Sequence, residues 1–213
     1  MIAAATSIEN VVFEVVAALR VPVLVAALLA LAVVVLELGS LAVELVRRRR
    51  RNAVSLERAA TAARQAVAAQ DPGGAAAALR KTAASRRIEA ALVAIVDALG
   101  GPRAENRVAK RLADFDLGSI RRLERTRMLV RAGPALGLMG TLIPLTPALD
   151  GLARGDTQSL SDNLRAAFSI TVLGLMVGAI AFGISLVRDR LYAQDLSDLE
   201  FVVVTLTDEE AAA

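Results

Sequence analysis

The chain has 213 residues, 55% of them hydrophobic, with a mean hydropathy of +0.54 and a formal net charge of +3. A soluble protein of this size needs more polar surface, so the composition indicates several membrane spans. The sequence has no Cys and no His, which excludes disulfides, thiolate or imidazole metal sites, and nucleophile pairs that use either residue. We therefore expect no enzyme, no metal and no cofactor.

The basic charge is better explained by membrane topology than by a nucleic-acid partner. Only 3% of the residues are aromatic, the arginines cluster beside apolar runs, and no stacking platform or nucleic-acid-binding motif is present.

The N-terminal region predicts a helix at the membrane surface followed by a first span. Residues 1–20 are interpreted as an interfacial or periplasmic helix, because the apolar run from Ile8 to Leu19 is too short to span a membrane and is broken by Glu14. Residues 21–46 form the first span. An arginine cluster follows at once and is interpreted as a topology and lipid-headgroup anchor: Arg47, Arg48, Arg49, Arg50 and Arg51. The positive-inside rule places that end in the cytoplasm and the N-terminus outside.

Residues 47–131 predict a cytoplasmic helical domain rich in Ala, Arg and Glu. Its periodicity and breaks indicate three helices, Ser55–Gln70, Ala75–Leu99 and Ala104–Val130. Apolar positions of the middle helix recur on one face and need a partner, either another helix of the chain or a neighbouring subunit.

The second span is predicted at 132–149 and the third at 166–187, joined by an extracytoplasmic loop at 150–165. Arginines precede the second span and follow the third, so both sets lie on the cytoplasmic side. Residues 188–213 are then a cytoplasmic C-terminal helix and tail. The fold class is an all-α integral membrane protein with three transmembrane helices and a helical cytoplasmic extension.

Small residues form a stripe on the second and third spans. Gly133 and Gly137, and again Gly174 and Gly178, are four positions apart, and Gly140 lies one turn after Gly137. Such patterns allow helix backbones to approach closely. The contact can lie within one subunit or between subunits.

Each stripe also carries one threonine, Thr141 or Thr171. Its hydroxyl can solvate a proton or water path, or it can bond to the carbonyl four residues earlier on its own helix. No Asp, Glu, Lys, Arg or His lies at 132–149 or 166–187, so a partner must supply any carboxylate that carries protons. Pro144 and Pro147 predict a bend in the second span, which can act in gating or be structural only.

Glu37 is an acidic residue of the first span, close to the inner boundary of the membrane core. It can snorkel or form an ion pair, or it can lie near an ion exit.

The motifs of the second and third spans resemble those of the MotA/TolQ/ExbB proton channel family, and within it the ExbB/TolQ branch. Residues 137–142, Gly-Leu-Met-Gly-Thr-Leu, are similar to the family's G-L-L-G-T-V, and residues 167–175 are similar to its A-L-x-x-T-x-x-G-L. The resemblance is good from about Leu123 to Arg190. Ala166 stands where the family has a glutamate, with Arg165 beside it, and Pro144 replaces a residue that is usually Gly.

The resemblance implies a homopentamer in the cell inner membrane, around two helices of an ExbD/TolR-like single-span partner whose intramembrane aspartate carries the proton. Thr141 and Thr171 match the family's pore-facing threonines. The favoured function is a stator subunit that uses proton flow to drive a partner assembly. Two alternatives stay open: a non-conducting scaffold that recruits proteins through its cytoplasmic helices, and a subunit of a small-solute transporter.

Overall fold

A computed structural model describes residues 2–48, 53–83, 85–100 and 102–207, and all regular structure in those ranges is helical. Seven helices follow one another there: α1 Ile2–Ala18, α2 Arg20–Arg48, α3 Ala53–Ala68, α4 Pro72–Arg80, α5 Arg86–Leu99, α6 Ala104–Ala153 and α7 Thr157–Thr207. Three helices are long and apolar enough to cross a membrane, within Asn10–Arg48, Ala104–Ala153 and Thr157–Thr207. The all-α class with three spanning helices is confirmed.

The chain forms two compact units. The first unit comprises the described residues of Met1–Gly39 together with Arg125–Ser185. The second unit comprises the described residues of Ser40–Glu124 and of Leu186–Ala213. The predicted assignment of segments to the membrane, the cytoplasm and the outside stays a prediction.

The first unit has a small core and a largely apolar exterior. Ala30 and Val34 of α2 pack with Val177 and Ala181 of α7 in its buried cluster. Large apolar side chains are exposed along α6 and α7, at Leu138, Leu142, Leu145 and Leu149, and at Phe168, Val172, Leu175 and Phe182. Such surfaces are stable against lipid or another protein, not against water. The chain is therefore a multi-pass membrane protein.

The second unit is a helical bundle with its own core. The predicted apolar face of α5 is buried, with Ile88, Leu92, Ile95 and Val96 each at most 3% exposed. The same cluster contains Leu79 of α4, Phe115 of α6 and apolar residues from the end of α7. The partner of the α5 face is thus the chain's own helices.

The predicted helix Ala75–Leu99 is wrong, because two helices occupy that stretch. α4 already begins at Pro72, where the Asp71 carboxylate accepts a hydrogen bond from the Gly74 amide at 2.9 Å. α5 begins at Arg86 after Ser85, whose hydroxyl accepts from the Ile88 amide at 3.3 Å. Side-chain caps at both starts satisfy amides that have no partner inside the helix.

The loop predicted at 150–165 is also too long. α6 continues to Ala153 and α7 begins at Thr157. The turn between them uses Gly155 at φ +76°, a conformation that favours glycine, and the Asp156 carboxylate accepts from the Ser159 amide at 3.0 Å. The expected helical continuation beyond the third span is present, since α7 extends to Thr207.

Candidate functional site

α6 and α7 approach each other backbone to backbone in the first unit. A Cβ atom added at Gly133 would lie 2.7 Å from the Gly174 carbonyl oxygen and 2.8 Å from the Gly178 amide nitrogen. A Cβ atom added at Gly174 would lie 2.5 Å from the Gly133 carbonyl oxygen and 2.8 Å from the Gly137 Cα. Side-chain carbons do not come this close to backbone atoms, so only glycine fits at these positions.

The remaining glycines of the two stripes lie on the same contact. An added Cβ at Gly178 would meet the Pro134 ring at 2.8 Å, and one at Gly140 would collide with Ile170 Cγ2. Gly137 has slightly more room, because the nearest atom to its added Cβ is the Thr171 carbonyl oxygen at 3.3 Å. All five predicted glycines are buried. The close approach that they permit is between two helices of one chain.

Both predicted threonines donate to backbone carbonyls. The Thr171 hydroxyl divides its hydrogen between the Ala167 carbonyl on α7, at 3.2 Å, and the Gly137 carbonyl on α6, at 3.3 Å. The Thr141 hydroxyl donates to the Leu138 carbonyl at 2.7 Å and lies 3.5 Å from the Gly137 oxygen. Both side chains are half-buried. The two hydroxyls thus converge on the Gly137 carbonyl, within the contact between the two helix backbones.

The chemistry available at this contact is hydrogen bonding without charge transfer. A hydroxyl that donates to a carbonyl still has lone pairs that can accept from water or from a protonated carboxyl group. Because residues 132–149 and 166–187 contain no ionisable side chain, neither span can store a proton.

Prolines lie within α6 without ending it. Pro134, Pro144 and Pro147 are all inside the helix, and Pro134 was not considered in the sequence analysis although it contacts Gly178. Proline lacks the amide that would bond to the carbonyl four residues earlier, which leaves the Val130, Gly140 and Ile143 carbonyls without that helical donor. The bend expected at Pro144 and Pro147 stays a prediction.

Glu37 lies in α2, where it is half-buried and has an interaction partner. The choice between a snorkelling or paired residue and an ion exit therefore stays open. Its role at an ion exit stays a prediction.

The arginine cluster is not uniform. Arg47 is exposed, as a lipid anchor requires. The Arg48 side chain is only 9% exposed. Its Nη1 and Nη2 atoms donate to the two Asp195 carboxylate oxygens, at 2.7 and 2.5 Å, and Nη2 also donates to Glu44 at 3.1 Å. Arg48 therefore forms an internal ion pair of the second unit. Arg49, Arg50 and Arg51 lie outside the described residues.

Sequence reasoning missed the polar residues of α7 that enter the second unit. Asp195 and Arg188 are 3% and 5% exposed, and Arg188 donates to the Ser40 hydroxyl at 3.2 Å. The available signal was their spacing, since positions 188, 192, 195 and 199 recur at helical intervals and include the buried Tyr192 and Leu199. A charged residue on the otherwise apolar face of a helix indicates that it is buried with a polar or oppositely charged partner.

Comparison with protein families gives a match over much of the chain. Residues 83–198, more than half of the chain, match the model of the MotA/TolQ/ExbB proton channel family. The match includes α5, all of α6 and the glycine and threonine positions of α6 and α7. No curated protein matches the chain.

Proposed function

We propose that this chain, which belongs to the MotA/TolQ/ExbB proton channel family, is an ExbB/TolQ-like stator subunit of a proton-driven motor in the cell inner membrane. In this role it couples proton flow to work on a partner assembly. The proton carrier is the intramembrane aspartate of an ExbD/TolR-like single-span subunit.

The observation that carries the proposal is the combination of fixed hydroxyls and absent charge at the α6–α7 contact. Glycine-to-glycine packing holds Thr171 within 3.3 Å of the Gly137 carbonyl. A helix pair built this closely can keep two hydroxyls in a fixed position while a titrating group moves past them. The titrating group has to come from another chain, since neither span contains one.

The proposed mechanism requires only hydroxyl rotation in this chain. When the partner carboxylate is ionised, the Thr141 or Thr171 hydrogen turns from its backbone carbonyl to a carboxylate oxygen. When the carboxyl group is protonated, it donates to a hydroxyl oxygen, and the threonine hydrogen returns to the backbone. Both protonation states are then solvated without a charge on the threonines.

The oligomer and orientation belong to the same proposal. The exposed apolar stripes of α6 and α7 need lipid or neighbouring copies, which supports a homo-oligomer, most simply the pentamer that the resemblance implies. Arginines beside each span support an N-terminus outside and a C-terminus in the cytoplasm. Five copies arranged around the partner helices then place α6 and α7 at the central lumen.

The test is proton uptake into liposomes that contain the chain with and without its single-span partner. We expect little uptake from the chain alone and robust uptake from the complex. The Thr141→Val/Thr171→Val complex should lose most of the uptake while the oligomer persists. Ser169→Ala is the matched control, because this exposed α7 hydroxyl donates to the Arg165 carbonyl on its own helix.

Three outcomes contradict the proposal. Full uptake from the chain alone rules out a partner carboxylate as the carrier. Full uptake from the double variant with its partner removes the threonines from the mechanism. A complex that assembles but shows no proton uptake at all is the result expected of a non-conducting scaffold.

A further inference from the structure

The second unit contains a cavity of about 260 Å³ that is lined by charged and aromatic side chains and is not used by the proposed proton path. It brings together residues from α2, α5, α6 and α7. Six charged side chains line it: Arg47, Arg86, Arg87, Arg122, Glu44 and Asp195. Four cations therefore face two anions.

The two carboxylates are already held by a cation outside the lining. Arg48 binds Asp195 at 2.5 and 2.7 Å and Glu44 at 3.1 Å. Since this arginine offsets much of their charge, the positive field of the four lining arginines is the larger contribution in the cavity.

Arg87 is fixed in place by neutral groups. Its guanidinium carbon lies 5.1 Å from the Phe115 ring centre and 5.5 Å from that of Tyr192, and its Nη2 donates to the Ser119 hydroxyl at 3.1 Å. Burial, and after it the positive charge of Arg122, lowers the pKa of Arg87. Two like charges are thus held near each other at one cavity.

Among the described residues, the repulsion between Arg87 and Arg122 is not offset by salt bridges of the lining arginines. None of the four lining arginines forms a salt bridge within the ranges that the structure describes. Planar guanidinium groups that line one cavity can each donate to one or two oxygens of a phosphate group.

We propose that this cavity binds the phosphate of a phosphate ester, most directly the headgroup of an acidic phospholipid. Arg47 directly follows the first apolar span, and Tyr192 lies five residues after the predicted end of the third span. At about 1.5 Å per helical residue, both are within about 10 Å of the apolar region, where headgroup phosphates lie. The site is independent of the proposed proton path.

Tyr192 supplies a direct optical readout. It is the only tyrosine of a chain without tryptophan, and it lines the cavity. Tyrosine emission of the full-length protein in a non-ionic detergent can therefore be titrated with three probes. These are short-chain phosphatidylglycerol, diacylglycerol with the same acyl chains, and glycerol 3-phosphate.

We expect phosphatidylglycerol to change the emission saturably and diacylglycerol to have no saturable effect. If glycerol 3-phosphate also binds, the site accepts a free phosphate ester; if it does not, the acyl chains contribute and the source is lipid. Both results support a phosphate site. Equal responses to phosphatidylglycerol and diacylglycerol, or no response to any phosphate, would overturn it.

Arg122→Gln should weaken phosphatidylglycerol binding about tenfold, because a hydrogen bond to a charged group is lost. Arg121→Gln is the matched control, since it removes the same charge one position earlier on α6 from a residue outside the lining. It should change the affinity less than twofold. Equal weakening by the two variants would show general surface attraction and would overturn the site. Arg87→Gln would also remove a lining cation, but that variant can fail to fold because Arg87 packs on two aromatic rings. Arg122 is exposed, so its replacement tests the site without that risk.

Discussion

The Thr171 hydroxyl of α7 donates to the Gly137 carbonyl of α6 at 3.3 Å, across 34 positions of sequence. A short side chain reaches this carbonyl because the residue at 137 has no side chain of its own. The bond therefore forms only while the glycine residues keep the α6 and α7 backbones in contact. A change in the packing of these two helices should also change the position of the Thr171 hydroxyl.

Thr171→Val should lower the free energy of unfolding by about 0.6 kcal/mol, the average for a hydrogen bond between membrane helices. Valine keeps the shape, so the helices still pack. The measurement is unfolding in detergent followed by circular dichroism. Ser169→Ala, which removes a hydroxyl that bonds within α7 alone, should be neutral; a larger loss from this control than from Thr171→Val would contradict the assignment.

Gly174→Ala should destabilise the protein by about 1–3 kcal/mol, the usual effect of overpacking, because the new methyl group meets the Gly133 and Gly137 backbones. Gly174→Leu should prevent the α6–α7 contact and, with it, assembly. Thermal unfolding and native mass spectrometry measure these effects. Gly183→Ala is the matched control on the same helix, because an added Cβ there meets no atom within 4 Å. If the two alanine variants are equally stable, the backbone contact does not exist.

Asp195→Ala should cost about 1–3 kcal/mol, because the Arg48 side chain, 9% exposed, loses a partner bound at two points and keeps the ion pair with Glu44 at 3.1 Å. Asp114→Ala breaks the exposed pair with Lys110 and should cost less than about 1 kcal/mol. Chemical denaturation compares the two. A combined Arg48→Met/Asp195→Leu variant should recover much of the lost stability, because apolar side chains replace the buried pair and Glu44, which also loses Arg48, is 20% exposed.

Reporter fusions at residue 60 and after residue 207 should show a cytoplasmic location, and a fusion at residue 156 should show an external one. The physical reason is the excess of arginine beside the predicted inner ends of the spans. Protease cleavage within 53–83 from the outer face would contradict this topology.

The spans and the main helices could be predicted from the sequence because apolar length and helical periodicity are local properties. The split between α4 and α5 was missed for a local reason too. No Gly or Pro marks residues 81–85, and Ser85 was not recognised as an N-cap although Glu89 follows in the first turn of α5. The glycines at 73 and 74 suggested a loop, yet the Gly74 amide completes the Asp71 cap.

The polar contacts could not be predicted in the same way. The Thr171 hydroxyl could donate to a carbonyl of its own helix or to one of α6. The second bond depends on the distance between the two helices, which cannot be read from the sequence. The bond between Arg48 and Asp195 joins residues 147 positions apart, and the cavity beside it combines four helices. Such sites depend on tertiary packing, and a single sequence gives their members only as scattered charges.

The contact between Gly133 and Gly174 also limits which second mutations can repair a first one. A bulky residue at one side-chain contact is often tolerated once its neighbour is made smaller, but glycine has nothing left to remove. Damage at Gly133 or Gly174 should therefore have no suppressor at the opposing position, and revertants should restore glycine itself. Gly140 differs, because its neighbour across the contact is the Ile170 side chain, and shortening that side chain can return some of the space. A suppressor screen should therefore recover second-site changes at Ile170 for a Gly140 variant, and only restored glycine for a Gly174 variant.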